Sequence, residues 1–292
     1  MLNEWHMREV FRSLYYGVRR HARRLLRMPA KATAPIVDKD LPIVAGKHLQ
    51  VCKKLEKWLP ENSPIKGSVV AEIGPGHCLA PAALMLGKGA SCCYLIEPNP
   101  PAVFDAQEEI FNRISSKGIP LFKDVLLNYT RPLSLNTKYI KYHRNFMNDV
   151  LFAGTFDFIY SHNVLEHVEN LQEFFEKCMQ SLKRGGAMLH FVDLTGHGFF
   201  EDPIPPLDFH VYPDWLFYLM CPPHNRATRR FAGEYRRVVE DCGFENIKLI
   251  PIAVADEPYL DRLMPRIRKN AKKIARSELS ILEFVLLCKR SL

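Results

Sequence analysis

The chain has 292 residues, 47% of them hydrophobic, and a formal net charge of +8. That apolar content supports one large core, or one core with an elaborate cap. No apolar run approaches the ~20 residues needed to cross a bilayer, and charges recur from Met1 to Lys31, so neither a membrane span nor a secretory leader is expected. The eight cysteines (Cys52, Cys78, Cys92, Cys93, Cys178, Cys221, Cys242 and Cys288) form no Cys-x-x-Cys pair and no zinc spacing. Reduced, packed thiols in a cytoplasmic protein without a metal are expected.

In chain order, the first segment reads as a basic amphipathic helix. Trp5, Val10, Phe11, Leu14, Tyr15, Val18, Leu25 and Leu26 recur at three- and four-residue steps with arginines between them. Such a helix suits packing on the domain or a partner subunit, or contact with an anionic membrane. Residues Met28 to Pro42 read as a linker, and a helix follows from Ala45 to Leu59 with Leu49, Cys52, Leu55 and Leu59 on its inner face. The expected division is a helical, basic extension over residues 1–65 and a catalytic domain over 66–292.

From Ser68 strands and helices alternate, the pattern of a parallel sheet covered on both faces. The expected strands are Ser68–Ile73, Ser91–Glu97, Tyr139–His143, Phe156–Ser161 and Ala187–Asp193. Helices are expected over Leu79–Leu86, Ala102–Ile114 and up to Leu182, the last stopped by Gly185-Gly186. Residues Ser115 to Asn136 read as irregular. An aromatic, proline-rich insertion occupies residues 194–230, where a substrate lid belongs. A helix at Phe231–Cys242, a strand at Ile247–Ile252, a basic helix at Pro258–Ala275 and a strand at Ile281–Cys288 complete the reading.

The most informative stretch is Val69-Val70-Ala71-Glu72-Ile73-Gly74-Pro75-Gly76-His77, followed by Tyr94-Leu95-Ile96-Glu97. An apolar run ends in an acid and a Gly-x-Gly turn, and a second apolar run ends in another acid. The pattern suits an adenosine-bearing ligand across two neighbouring strand ends: glycines admit close backbone approach, and the second carboxylate accepts from ribose hydroxyls.

With the block Phe156-Asp157-Phe158-Ile159-Tyr160-Ser161-His162-Asn163-Val164-Leu165-Glu166-His167-Val168 and with Leu182-Lys183-Arg184-Gly185-Gly186, the order of parts resembles the class I S-adenosylmethionine-dependent methyltransferases. The resemblance implies a Rossmann-like α/β fold with seven strands, the last antiparallel, and S-adenosyl-L-methionine as co-substrate. It places Gly74, Pro75 and Gly76 beneath the methionine part of that molecule, Glu72 beside its amino-acid end and Glu97 on its ribose. Asn145 would border adenine, and Ser161, His162 and Asn163 would lie near the transferable methyl. Two positions depart from the pattern: Cys78 stands where a third glycine often occurs, and Asn145 is an amide where an acid is common. Glu166 suits the start of a helix electrostatically, and His167 reads as pocket-shaping.

Methyl transfer to a hydroxyl needs an aligned nucleophile and an acceptor for its proton. His162, Asp193, His197 and His210 are the candidates, with Asp193 and His197 suited to a carboxylate-oriented base. An Asn/Asp-Pro-Pro-aromatic run for nucleic-acid amines, a cysteine at the ends of the strands Phe156–Ser161 and Ala187–Asp193, and an acid cluster for a metal are all missing from the sequence. The segment Asp193 to His197, with Pro205 to Phe209 and Asn225-Arg226 downstream, resembles methyltransferases associated with bacterial surface polysaccharides. This implies a small-molecule or glycan acceptor, phosphorylated or lipid-linked, with Arg226, Arg229 or Arg230 on its anionic group. A lipid-linked acceptor would give the basic N-terminal helix a role at the inner face of the membrane. Nucleic acid is not the expected partner, although pI ≈ 9.0 and two basic runs motivate a second reading as an RNA-modifying or RNA-binding protein. The glycine turn also suits an NAD-binding oxidoreductase, and a catalytically inactive methyltransferase-fold subunit would keep the same motifs.

Overall fold

The computed structural model describes residues 41–59, 65–76, 78–98, 107–128, 134–145, 147, 152–196, 205–220 and 228–292. The expected N-terminal amphipathic helix, most of the linker, His77, His197, Asn225 and Arg226 lie outside these residues. In chain order the elements are α1 (Leu41–Trp58), β1 (Val69–Ile73), α2 (Ala80–Gly87), β2 (Cys92–Ile96), α3 (Gln107–Ser115), β3 (Leu126–Asn128), β4 (Ser134–Leu135) and β5 (Ile140–His143). Then come β6 (Phe156–His162), α4 (Leu171–Ser181), β7 (Leu182–Asp193), α5 (Asp214–Met220), α6 (Ala232–Asp241), β8 (Glu245–Val254), α7 (Glu257–Leu263), α8 (Arg276–Leu279) and β9 (Ile281–Lys289).

Seven of the strands form one sheet in the order β5-β2-β1-β6-β7-β9-β8. Strands β5, β2, β1, β6 and β7 pair in parallel, while β9 is antiparallel to both β7 and β8. The order reverses direction at β1, so the carboxyl ends of β1, β2 and β6 open onto one crevice, where ligands bind in such sheets. Central strands such as β1 are apolar almost throughout because both faces are covered. One face packs α1, α2 and α3 around Val70, Leu84, Leu95, Phe111 and Phe158; the other packs α4 and α6 around Ile73, Ile159, Phe174, Phe175 and Tyr235.

Local chemistry sets the helices. In α4, Leu171, Phe174, Phe175 and Cys178 recur at the spacing that builds one buried stripe. Its N-cap, Asn170, accepts a hydrogen bond from the Glu173 backbone N–H. Helix α1 starts at Leu41, four residues before the expected start. Leu41 and Ala45 share the buried face of Cys52 and Leu55, and Pro42 sits in the first turn, where its missing N–H costs nothing. Residues 41–58 thus share a core with the sheet.

Three other expectations are corrected. The stretch 115–136 is not wholly irregular, since β3 pairs antiparallel with β4. Gly185-Gly186 does not end α4, which stops at Ser181. Both glycines lie in a bulge of β7, where the register jumps from Phe156↔Leu182 to Phe158↔Ala187 and Gly185 takes φ +74°. The continuous basic helix over 258–275 is replaced by α7, a turn containing Pro265, a 3-10 turn at Ala271–Lys273, and α8.

The insertion builds its own small core. Leu207, Phe209, Tyr212, Phe217 and Met220 pack against Phe231 and against Leu260, Leu263, Ile267 and Leu279 from the α7–α8 region. It is thus tied to the sequence just before β9.

Candidate active site

Residue register brings the sequence motifs together. Glu72 pairs with Leu95 on one side and Tyr160 on the other, and Gly74 N–H donates to the Ile96 carbonyl. Glu97 N–H donates in turn to the His143 carbonyl. The two acids therefore end adjacent strands, and both are buried.

The Gly-x-Gly turn has a backbone that side chains resist. Gly74 has φ +68°, and a Cβ there would meet Val164 Cγ2 at 2.5 Å. The valine belongs to the block after β6, so the two motifs interlock at this point. Gly76 has φ +60°, and a Cβ would meet nothing within 4 Å. Close packing beneath Gly74 and open space above Gly76 fit a ligand resting on the turn. Asn163 also adopts positive φ, 55°, a strained turn for a non-glycine residue at a strand's carboxyl end.

Glu72 accepts a hydrogen bond from the Tyr160 hydroxyl at 2.8 Å. Burial pushes its carboxyl up to about 8, although the phenol favours the charged form. Cys78 is fully buried, and burial raises its thiol to about 12. It packs as an inert thiol at the position where the family pattern often has a third glycine.

From Phe158 onward β6 alternates, and this separates the predicted residues. Tyr160 and His162 face the α1 side, whereas Ser161 turns to the α4 side. There its hydroxyl pairs with His190 Nδ1 at 2.7 Å, and both residues are fully buried. His190 lies edge-on to Phe174 and Phe175, and burial lowers its pKa to about 3. The expectation that Ser161 borders the methyl is corrected: it is a core residue.

His162 is neutral at physiological pH. Burial drives its pKa down to about 4, helped by Lys54 and His48 and opposed by Asp193. Its Nε2 is buried and has no hydrogen-bond partner among the described residues. Asp193 pairs in register with Glu283 of β9, and Lys54 of α1 bonds Glu283 at 3.1 Å. Glu166 is fully buried beside Asp193, faced by the backbone N–H groups of both residues, and its carboxyl is pushed up by burial. The carboxyl rim thus carries His162, Asp193, Glu166 and Glu283, with His48 and Lys54 above them. Lys54, His48, Glu283 and Tyr160 escaped the sequence reading because no local pattern joins residues as far apart as 54 and 283.

Other candidates lie elsewhere. His210 is fully buried between Phe209 (ring centroids 4.2 Å) and Phe231 (4.6 Å), and neither ring nitrogen has a hydrogen-bond partner among the described residues. Its ring is enclosed by side chains of the insertion's small core, the segment in which the sequence places it. Arg229 is held by Asp214 and by the carbonyls of His210 and Tyr212, and Arg230 by those of Val168 and Glu169. Both guanidinium groups brace the fold. A cavity of about 500 Å³ lies between them, bounded by Tyr218, Phe231 and Arg268, and none of the residues of the Gly-x-Gly turn lines it. Asn145 is exposed two residues after β5. Among the described residues there is no cluster fit for a metal ion and no helix long and apolar enough to cross a membrane.

Residues 71–190 match the model of a methyltransferase domain family. No curated protein sequence matches the chain. A putative O-methyltransferase from Nostoc punctiforme PCC 73102 superposes with TM-score 0.50 at 12% identity, over 96% of this chain and 67% of that one. A Haemonchus contortus phosphoethanolamine N-methyltransferase 2, solved with S-adenosyl-L-methionine, gives TM-score 0.49 at 11% identity over 84% of this chain. The present chain covers 53% of that enzyme, about half its length. The interlocked glycine turn, the two buried acids at adjacent strand ends and the sheet order coincide with the matched region: residues 71–190 carry a methyltransferase domain of the S-adenosylmethionine-dependent kind.

Proposed function

We propose that the chain methylates a hydroxyl of a small-molecule or glycan acceptor, with His162 taking up the hydroxyl proton. The observation that carries this reading is the buried Nε2 of His162, an acceptor at the carboxyl end of β6 with no hydrogen-bond partner among the described residues. A buried polar atom costs free energy unless something pairs with it, and an acceptor hydroxyl would supply the pairing. Asp193, whose charge favours protonated His162, would stabilise the imidazolium as it forms.

The co-substrate supplies an electrophilic methyl on a sulfonium. Gly74, Pro75 and Gly76 would support its methionine part, Glu72 and Glu97 would flank it, and Asn145 and Asn163 would border it. His197, four residues after Asp193, is the second choice of proton acceptor. The insertion would cover the acceptor, and its exposed Trp215 and Tyr218 suit the faces of sugar rings. The basic N-terminal segment would hold the chain at an anionic membrane surface if the acceptor is lipid-linked.

The test is a panel of sugar phosphates, free glycans and small alcohols, with matching amines, scored by release of S-adenosylhomocysteine. Turnover is expected on a hydroxyl compound and a drop of about 10²–10⁴ in kcat for His162→Gln, with binding of S-adenosylmethionine retained. Methylation of amines alone would overturn the reading.

A further inference from the structure

The carboxyl of Glu72 has unusual surroundings for an acid beside a cationic ligand. Its side-chain hydrogen bond comes from the Tyr160 hydroxyl on β6, at 2.8 Å. The other titratable groups that act with it are thiols: Cys93 on β2, Cys78 on the descending limb of the glycine turn, and Cys52 on α1. Among the described residues no lysine or arginine shifts its ionisation. Cys78 follows Gly76 by two residues and Glu72 precedes Gly74 by two, so the carboxyl and one of these thiols flank the turn in the chain.

A carboxyl buried among thiols, with a neutral donor and no cation, holds its proton. S-adenosylmethionine brings two positive charges, a sulfonium and an ammonium. We propose that Tyr160 is a positioning residue for the cofactor site, aiming the Glu72 carboxyl at the turn so that S-adenosylmethionine binds as Glu72 gives up its proton. The proton passes from the carboxyl to solvent, and the carboxylate left behind is balanced by the incoming cation and by the phenol O–H that still donates to it. Tyr160 has no counterpart in the glycine motif, and it meets Glu72 only because β6 pairs with β1 in this register. The inference rests on cofactor binding and is independent of the acceptor proposed above.

Calorimetric titration of the full chain with S-adenosylmethionine tests it between pH 6 and 7, where the ligand's own ammonium stays charged. Buffers of different ionisation enthalpy are compared. The wild-type chain should release close to one proton per site, and its Kd should weaken by up to tenfold from pH 7 to pH 6. Glu72→Gln should abolish the proton release. Tyr160→Phe removes the donor that favours the charged carboxyl, so binding at pH 7 should weaken at least threefold and the pH profile should move upward. A purely structural role would weaken binding equally at every pH. Binding without proton release, release that persists in Glu72→Gln, or an unmoved profile in folded Tyr160→Phe would each overturn the proposal. Should Tyr160→Phe not fold, the wild type and Glu72→Gln still decide it. No binding at all would remove the cofactor assignment along with it.

Discussion

The rim of the sheet at β1, β2 and β6 and the insertion at 205–220 both contain the residue types of an active site, and they use them differently. At the rim, acids and glycines are held by short local segments at the ends of adjacent strands. In the insertion, His210 is sandwiched between two phenyl rings, and Arg229 is spent on three acceptors of its own segment. Arg229 stabilises that small core first, because the carbonyls of His210 and Tyr212 would be costly to leave without a donor. Histidines and arginines in such an insertion are therefore weak evidence of catalysis, whereas a strand end whose backbone needs glycine is strong evidence of a ligand.

Gly74→Ala gives the largest expected effect. It combines left-handed backbone strain with overlap on Val164, a loss of about 3 kcal/mol in stability together with loss of S-adenosylmethionine binding. Gly76→Ala, with open space around it, should cost only about 1 kcal/mol of stability while still impairing binding. Val164→Ala should rescue part of the Gly74→Ala defect in a double-mutant cycle read by urea unfolding. Equal stability losses at the two glycines would break the contrast within the turn.

Arg229→Ala tests the insertion. It leaves the carbonyls of His210 and Tyr212 short of a donor and removes a guanidinium 4.7 Å from the Phe217 ring. The expected cost is about 2–3 kcal/mol, seen as faster hydrogen exchange over 205–220, with S-adenosylmethionine binding unchanged. Loss of cofactor binding would show that the two regions are coupled.

The sheet beneath the rim has its own acid sensitivity through His190. Its folded-state pKa lies near 3, against an ordinary 6.5. Below pH 6.5 the unfolded chain binds a proton that the folded chain refuses, so stability falls as pH falls through that window. About 2 kcal/mol should vanish between pH 6.5 and pH 5, and His190→Gln should flatten that limb in urea melts at the two pH values. Asn145→Ala should matter least. As an exposed amide proposed to border adenine, Asn145 is expected to contribute about 0.5 kcal/mol or less to binding, read by calorimetry.

The cofactor end is legible in the sequence because its determinants are local. Val69 to Gly76 is a buried parallel strand followed by a turn that needs positive φ, and Cys92 to Glu97 repeats the strand and the acid. The insertion is legible only as an interruption, since nothing in its sequence shows that Phe231 and the α7–α8 segment complete its core. The basic run after Pro258 reads as one helix because its charges have no period that reveals a break, and the turn at Pro265 divides it.

By itself the sequence determined the strand order of chemistry: an acid, a glycine turn, a second acid and a polar end to β6, each set by neighbours a few residues away. Only the tertiary structure decided which polar side chains look outward. A strand turns successive residues to opposite faces, so Ser161 went to the core while His162 stayed at the rim. The pairing of β6 with β1 joined Tyr160 to Glu72, and the packing of α1 on the sheet brought Lys54 to Glu283. Such contacts depend on register and on packing between distant segments, and no window of the sequence contains both partners.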